Sequence, residues 1–214
     1  MDERAIAECF DHEAGCCTPK TLQRRSSRDQ PLVDALVAAG IQGKSLLEIG
    51  SGAGQLSREL ARHGARFVTG LDLSAVSVTT AIGEARAEGL AEKVRFEVGN
   101  GATDSLEPRD VVVLDRVLCC YPRAHEFVTN TLSAAREVYA FTLPRNEGVL
   151  RYAWKAGFGV ENAWHALRRR RFRAYLHDPK LIDQWLRDEG FSPSRRFSRR
   201  GWLHAVYVRS TTHP

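Results

Sequence analysis

Apolar positions recur first with a helical period and then with a strand period, and the two alternate along most of the chain. Around Pro31 a helix begins, with Leu32, Val33, Leu36 and Val37 on one face, and Gly40 and Gly43 bracket its end. Ser45–Ile49 reads as a short apolar strand. Gln55–His63 reads as a helix carrying Leu56 and Leu60, and Gly64 stops it. Phe67–Leu71 is the second strand. Ser74–Glu88 is a helix, with Ser74 at its N-cap and Gly89 at its end. Val94, Phe96 and Val98 alternate as a third strand, and Asp110–Leu114 is the unbroken apolar run of a strand buried on both faces. Ala124–Ala134 presents Phe127, Val128, Thr131 and Leu132 as a helix, and Glu137–Leu143, closed by Pro144, is the fifth strand. Strands separated by helices predict a parallel, doubly wound sheet. The end of the chain breaks the rhythm. Pro179–Glu189 is a helix with Leu181, Ile182, Trp185 and Leu186, followed by strands Phe191–Phe197 and Trp202–Val208 around Arg200-Gly201. That hairpin adds an antiparallel edge.

The predicted organisation is a single domain over 1–214. An N-terminal arm and helix occupy 1–43, the alternating core 44–145, an insertion 146–176, and the last helix with the closing hairpin 177–214. No apolar run approaches the roughly 20 residues a bilayer span needs. Met1-Asp2-Glu3-Arg4 is not the start of a secretory signal, so the expected location is cytoplasmic. Five cysteines (Cys9, Cys16, Cys17, Cys119 and Cys120) lack CxxC spacing, which argues against both a disulfide framework and a structural metal site. Charge is uneven. Of 31 basic and 26 acidic residues, 14 and five lie after residue 150, leaving 17 and 21 before it, so a net −4 is followed by a net +9. Such asymmetry suits an anionic partner, and a solvated surface gives the same count.

Candidate chemistry gathers at the predicted strand ends. Leu46-Leu47-Glu48-Ile49 runs into Gly50-Ser51-Gly52-Ala53-Gly54 and then into a helix beginning Gln55-Leu56. Glycines at a strand-to-helix turn let backbone N–H groups approach a ligand closely. The turn is one residue tighter than the dinucleotide fingerprint and lacks the Lys and Ser/Thr of a P-loop. Glu48 beside it is awkward for a pyrophosphate and suits a cation. Asp72-Leu73, 18 residues after Gly54, stands where an acid accepts hydrogen bonds from ribose hydroxyls. Asn100-Gly101 ends the third strand and Asp115-Arg116 ends the fourth, on the side where ligands of such sheets sit.

The series Glu48-Ile-Gly-Ser-Gly-Ala-Gly54, Asp72, Asn100 and Asp115 resembles the successive motifs of class I S-adenosyl-L-methionine (SAM)-dependent methyltransferases over residues 45–145. The resemblance implies an α/β, Rossmann-like, doubly wound seven-stranded sheet, mostly parallel with a C-terminal antiparallel hairpin. It implies SAM as cofactor, with Glu48, Gly50, Ser51, Gly52, Gly54 and Gln55 around the methionine end. Asp72 and Leu73 then fall at the ribose, Asn100 and Gly101 at the adenine, and Asp115 and Arg116 at the substrate side. The family more often has Asp where Asn100 stands. The stretch Asp115-Arg-Val-Leu-Cys-Cys-Tyr-Pro122 is similar to that of magnesium-protoporphyrin O-methyltransferases and their bacterial relatives. In the porphyrin enzymes a catalytic His precedes the Tyr-Pro pair; here Cys120 does, which puts porphyrin methylation in doubt.

The candidate catalytic residues are Tyr121, Cys120 and His125. Tyr121 is placed to face the transferred methyl or to serve as a wall. Cys119 and Cys120 read as small apolar packing against a chemical role. His125, His165 and His177 are the candidate bases, with His125 closest to the strand end, although a surface place at a helix start is the plainer reading of it. No metal ligand set is expected. Cys16-Cys17 folded onto Cys119-Cys120 would offer a thiophilic site. Arg168-Arg-Arg-Arg-Phe-Arg173 in the insertion is a candidate for recognising carboxylate or phosphate on an acceptor, and a solvated face is the plainer reading. Trp154, Phe158 and Trp164 read as the apolar face of helices or as an aromatic wall for a planar acceptor. The leading expectation is a small-molecule methyltransferase, monomeric or homodimeric, whose acceptor has apolar and anionic parts. An RNA methyltransferase and a SAM-holding protein without turnover are the alternatives.

Overall fold

The computed structural model describes residues 3–14 and 30–210. Five strands, β1 (Ser45–Ile49), β2 (Phe67–Asp72), β3 (Val94–Val98), β4 (Arg109–Leu114) and β5 (Ala135–Pro144), run parallel. Strands β6 (Phe191–Arg199) and β7 (Trp202–Arg209) form the closing hairpin, and β7 slots antiparallel between β5 and β6. The sheet order is β3-β2-β1-β4-β5-β7-β6. This is the seven-stranded, mostly parallel sheet expected from the sequence, and its strand order reverses between β1 and β4.

The two faces carry separate cores. Helices α2 (30–38), α3 (Gln55–Arg62) and α4 (Ala75–Ala87) cover one, where Leu32, Leu36, Leu56, Leu60 and Val78 meet Leu46, Val68, Val111 and Val113. Helices α5 (Ala124–Ser133) and α7 (Pro179–Asp188) cover the other, where Phe127, Val128, Ile182 and Leu186 meet Leu47, Val112, Leu114 and Tyr139. Burial of β1 and β4 on both faces explains their unbroken apolar runs. Helix α1 (Glu3–Ala14) adds Ile6 and Cys9 to this second core, above the strand ends. Helix α6 (Leu150–Leu167) occupies the insertion.

Caps set where helices begin. Ser74 accepts from the backbone N–H of Ser77, and Asp178 accepts from that of Lys180 with Pro179 at the first turn. Gly54 precedes α3 in the left-handed region at φ +71°, and a Cβ there would lie 2.3 Å from Phe96 and 2.9 Å from Ala81. It lets α3 start hard against the sheet. Gly54→Ala is expected to lower unfolding free energy in urea by about 2–4 kcal/mol, overpacking added to backbone strain. Gly89→Ala, also left-handed but with open space around it, is expected to cost about 1 kcal/mol.

Candidate functional site

A cavity of about 280 Å³ opens at the carboxyl ends of β1, β2 and β4, where ligands of doubly wound sheets sit. Its floor is the turn after β1. The N–H groups of Gly50 and Ser51 both donate to the Leu71 carbonyl, at 2.7 and 3.1 Å, so the turn is stitched to the end of β2. Gly50 sits at φ +72°, and a Cβ on it would fall 2.2 Å from Val117. Only glycine permits this approach.

Carboxylates ring the cavity. Glu48 is buried and accepts from the Ser57 hydroxyl. Asp72 accepts from Gly52 N–H at 2.7 Å and Ser74 N–H at 2.8 Å. Burial raises its pKa above the ordinary carboxylate value; those two hydrogen bonds work against the shift, and the charge of Asp11 adds to it. Each oxygen keeps lone pairs for a ligand hydroxyl. Asp115 is held by Thr142, whose hydroxyl donates to it at 2.6 Å and accepts Arg116 N–H at 2.7 Å. Arg116, a non-glycine residue at φ +57°, pairs its guanidinium with Asp115. Ser51 Oγ and Gln55 Oε1 are buried at the cavity without a hydrogen-bond partner. An acidic, hydroxyl-accepting cavity with orphaned polar atoms beside the glycine turn fits a cationic nucleoside and not a polyphosphate.

Of the residues expected from the sequence, Glu48, Gly50, Ser51, Gly52, Gln55, Asp72, Leu73, Gly101, Asp115, Arg116, Cys120 and Tyr121 all line this cavity. Three do not. Gly54 turns toward Phe96. Asn100 is buried beside the cavity, its Oδ1 taken by Ala102 N–H at 2.9 Å and Tyr121 OH at 3.1 Å, while its Nδ2 has no partner. His125 is exposed on the outer side of α5, its ring edge-on to Trp185 at 4.7 Å, because α5 turns Ala124, Phe127 and Val128 inward instead. His177 also leaves the candidate bases: its Nε2 donates to the carbonyls of Leu118 and Tyr121, at 2.9 and 2.8 Å, and burial lowers its pKa. His165 lies on α6 against Phe172. Cys16 and Cys17 lie outside the described residues, so the four-cysteine idea has no geometry.

Tyr121 and Cys120 share one wall. Tyr121 stacks on Phe127 at 4.2 Å, and burial pushes its phenol well above the usual range. The Cys120 thiol is also pushed up, first by its hydrogen bond with Cys119 and then by burial. Both carry their protons at neutral pH.

Sequence reasoning allowed some helix in the N-terminal arm but missed that α1 lies over the cavity. Ile6 and Phe10, at i and i+4, roof the cavity, and Asp11 ties the helix down by accepting from Ser74 Oγ. That spacing was visible, but nothing local says that an N-terminal helix folds back over strand ends. A second, open groove meets the cavity at Ile6 and Cys120 and is bordered by Arg123, Arg171, Phe172 and Arg173.

Residues 46–144 match a family model described as a methyltransferase domain. Over 107 residues the chain is 31% identical to the ribosomal protein L11 methyltransferase of Deinococcus radiodurans, covering 48% of this chain and 38% of that protein, so the match spans well under half of the relative. Magnesium protoporphyrin IX methyltransferase of Synechocystis PCC 6803, solved with bound SAH, is 26% identical with a TM-score of 0.71, covering 87% of this chain and 84% of that one. Its structure with bound SAM superposes over 98% of both chains at a TM-score of 0.73 and 22% identity, a likeness of fold.

Thr142→Val is expected to leave Arg116 N–H and a buried Asp115 oxygen without their partner. The expected loss is about 1–3 kcal/mol of unfolding free energy, read by urea denaturation.

Proposed function

We propose that this chain, a class I SAM-dependent methyltransferase whose methyltransferase domain spans residues 46–144, methylates a carboxylate on a small acceptor that is otherwise apolar. Bound SAM supplies a methyl group on a sulfonium, already activated for in-line transfer to a nucleophile. The chain's task is then alignment and exclusion of water. Glu48, Gly50, Ser51, Gly52 and Gln55 are assigned to the methionine end, where Glu48 and the orphaned oxygens of Ser51 and Gln55 suit an ammonium group. Asp72 and Leu73 are assigned to the ribose. Gly101 lines the adenine end, with the unpartnered Asn100 Nδ2 next to it. Asp115, Arg116, Cys120 and Tyr121 border the place where the methyl meets the acceptor.

The observation that carries the acceptor class is the protonation state of that last group. Tyr121 and Cys120 keep their protons, His125 is turned outward, His177 is committed to backbone carbonyls, and His165 is buried against Phe172 outside the residues that line the cavity. With no poised base, an acceptor that is already anionic is favoured over an amine, alcohol or phenol that must lose a proton. The arginines along the groove beyond Cys120 favour the same choice. His125 is accordingly withdrawn from the catalytic set, and Cys120 and Tyr121 serve as walls, with Tyr121 positioning Asn100.

The test supplies methyl-labelled SAM with amphiphilic carboxylic acids, phenols, amines and RNA. Label that enters the acids and is released as methanol by mild alkali, as from an ester, supports the reading. Alkali-stable label in the other acceptors overturns the carboxylate assignment. Cys120→Ala and His125→Ala are expected to retain kcat within about threefold, since neither side chain is asked to move a proton.

Binding of SAM should also depend on pH. Ribose hydroxyls donate to ionised Asp72, so affinity is full above the raised pKa of that group and falls toward tenfold per pH unit below it. Calorimetry with Asp72→Asn is expected to show weaker binding without that acidic step. An acidic fall that persists in the variant would assign it to another group.

A further inference from the structure

Among the described residues helix α6 is packed on one side only, and its other side has the wrong chemistry for water. Inward, Trp154 donates to the Gly201 carbonyl at 3.1 Å and meets Trp202 edge-on at 5.3 Å, and Asn162 exchanges hydrogen bonds with the backbone of Ala174. Outward, Val149 is 85% exposed, Tyr152 70%, Val160 72%, Trp164 52% and Leu167 77%. Ala153, Ala156 and Ala163 fall between them at steps of three and four, so the stripe holds one face for about 27 Å. Of the nine exposed large apolar side chains among the described residues, six lie between 149 and 167. Scattered apolar residues on a surface need no explanation; a continuous stripe does. The sequence pattern counted Trp164 with the inward aromatics, but it is half-exposed at the edge of the outer stripe, whereas Trp154 and Phe158 are turned toward the hairpin and core.

Cations close the stripe at one end. Arg168, Arg169, Arg170 and Arg171 follow it, Arg151 and Lys155 lie on the back of the helix, and Glu161 is the one acid between 149 and 171. Arg168 stacks over Trp164 at 4.3 Å from the ring centre. We propose that α6 lies in the plane of an anionic lipid surface, its apolar face sunk among the acyl chains and its cations on the headgroups. The helix does not qualify to cross a membrane; it is suited to lie on one. Charge decides against a second copy of this chain. Pairing two α6 stripes in parallel sets the arginine runs on each other, and pairing them antiparallel sets each run beside residues 149–160, which hold no acid to neutralise it. Residues 171–175, just beyond the helix, border the groove that meets the cavity at Cys120. Docking therefore brings the acceptor entrance next to the lipid, where an apolar molecule with an anionic group resides.

Co-sedimentation of the full chain with phosphatidylcholine vesicles, with and without about a third phosphatidylglycerol, tests this. The chain is expected to bind the anionic vesicles at least tenfold more strongly, with loss at high salt. Val160→Glu, Trp164→Glu and Arg169→Glu/Arg170→Glu are each expected to weaken that binding about tenfold while SAH binding by calorimetry is unchanged, so lipid docking is read independently of methyl transfer. A chain that stays in solution with anionic vesicles, or α6 variants that bind them as the wild type does, overturns the proposal. So does sedimentation velocity showing a dimer that Val160→Glu dissociates, which assigns the stripe to a second copy.

Discussion

The closeness of the chain to itself between Gly50 and Gly54 is the constraint on which the ligand cavity depends. Two successive N–H groups share the Leu71 carbonyl, a third reaches Asp72, and Val117 and Phe96 fill the space that side chains at positions 50 and 54 would need. The turn thus joins three strand ends. It aligns β1 with β2, fixes Asp72 at the rim, and sets the start of α3 against the sheet. Strain at Arg116 belongs to the same junction. Its left-handed backbone is held by one hydrogen bond to Thr142, and that hydroxyl also holds Asp115.

Around that frame the polar groups are arranged to hold charge, not to move protons. Desolvation raises Asp72 while two backbone N–H groups restrain the shift, leaving a carboxylate able to accept hydroxyl hydrogens. The same desolvation keeps the Tyr121 phenol protonated, and the hydrogen bond with Cys119, with burial second, does so for the Cys120 thiol, so they act as a donor and a wall. His177 spends its Nε2 hydrogen on the carbonyls of Leu118 and Tyr121 and thereby fixes the 118–121 turn. Helix α1 closes the other side with Ile6 and Phe10. Closure by an apolar helix lowers the local dielectric and excludes competing water, which an alignment-driven transfer uses more than it uses a base.

Helix α6 differs from the other helices in having two apolar sides. Its inner side meets the hairpin through Trp154 and Trp202, and among the described residues its outer side is covered by no other element. A helix of this kind adds little to the stability of the sheet, which the two layered cores already supply. Its position between β5 and the arginine segment that borders the groove ties whatever it contacts to access at Cys120.

What the sequence determined by itself is what local rules govern. Strand and helix periods, the N-caps at Ser74 and Asp178, and the spacing from Glu48 through Gly54 to Asp72 depend on residues near one another in the chain, and the parallel sheet with its antiparallel hairpin follows from them. The tertiary structure alone decided which side of each element meets which neighbour. Periodicity groups Phe127 with Val128 but does not say that His125 beside them faces solvent, or that Asn100 spends its oxygen on Tyr121. It groups the aromatic residues of α6 without saying that Trp154 packs on the hairpin while Trp164 stays half-exposed. The roof over the cavity and the clasp of Thr142 on Asp115 come from residues far apart in the chain, and packing energy, which no local pattern encodes, chose among the arrangements that the pattern allowed.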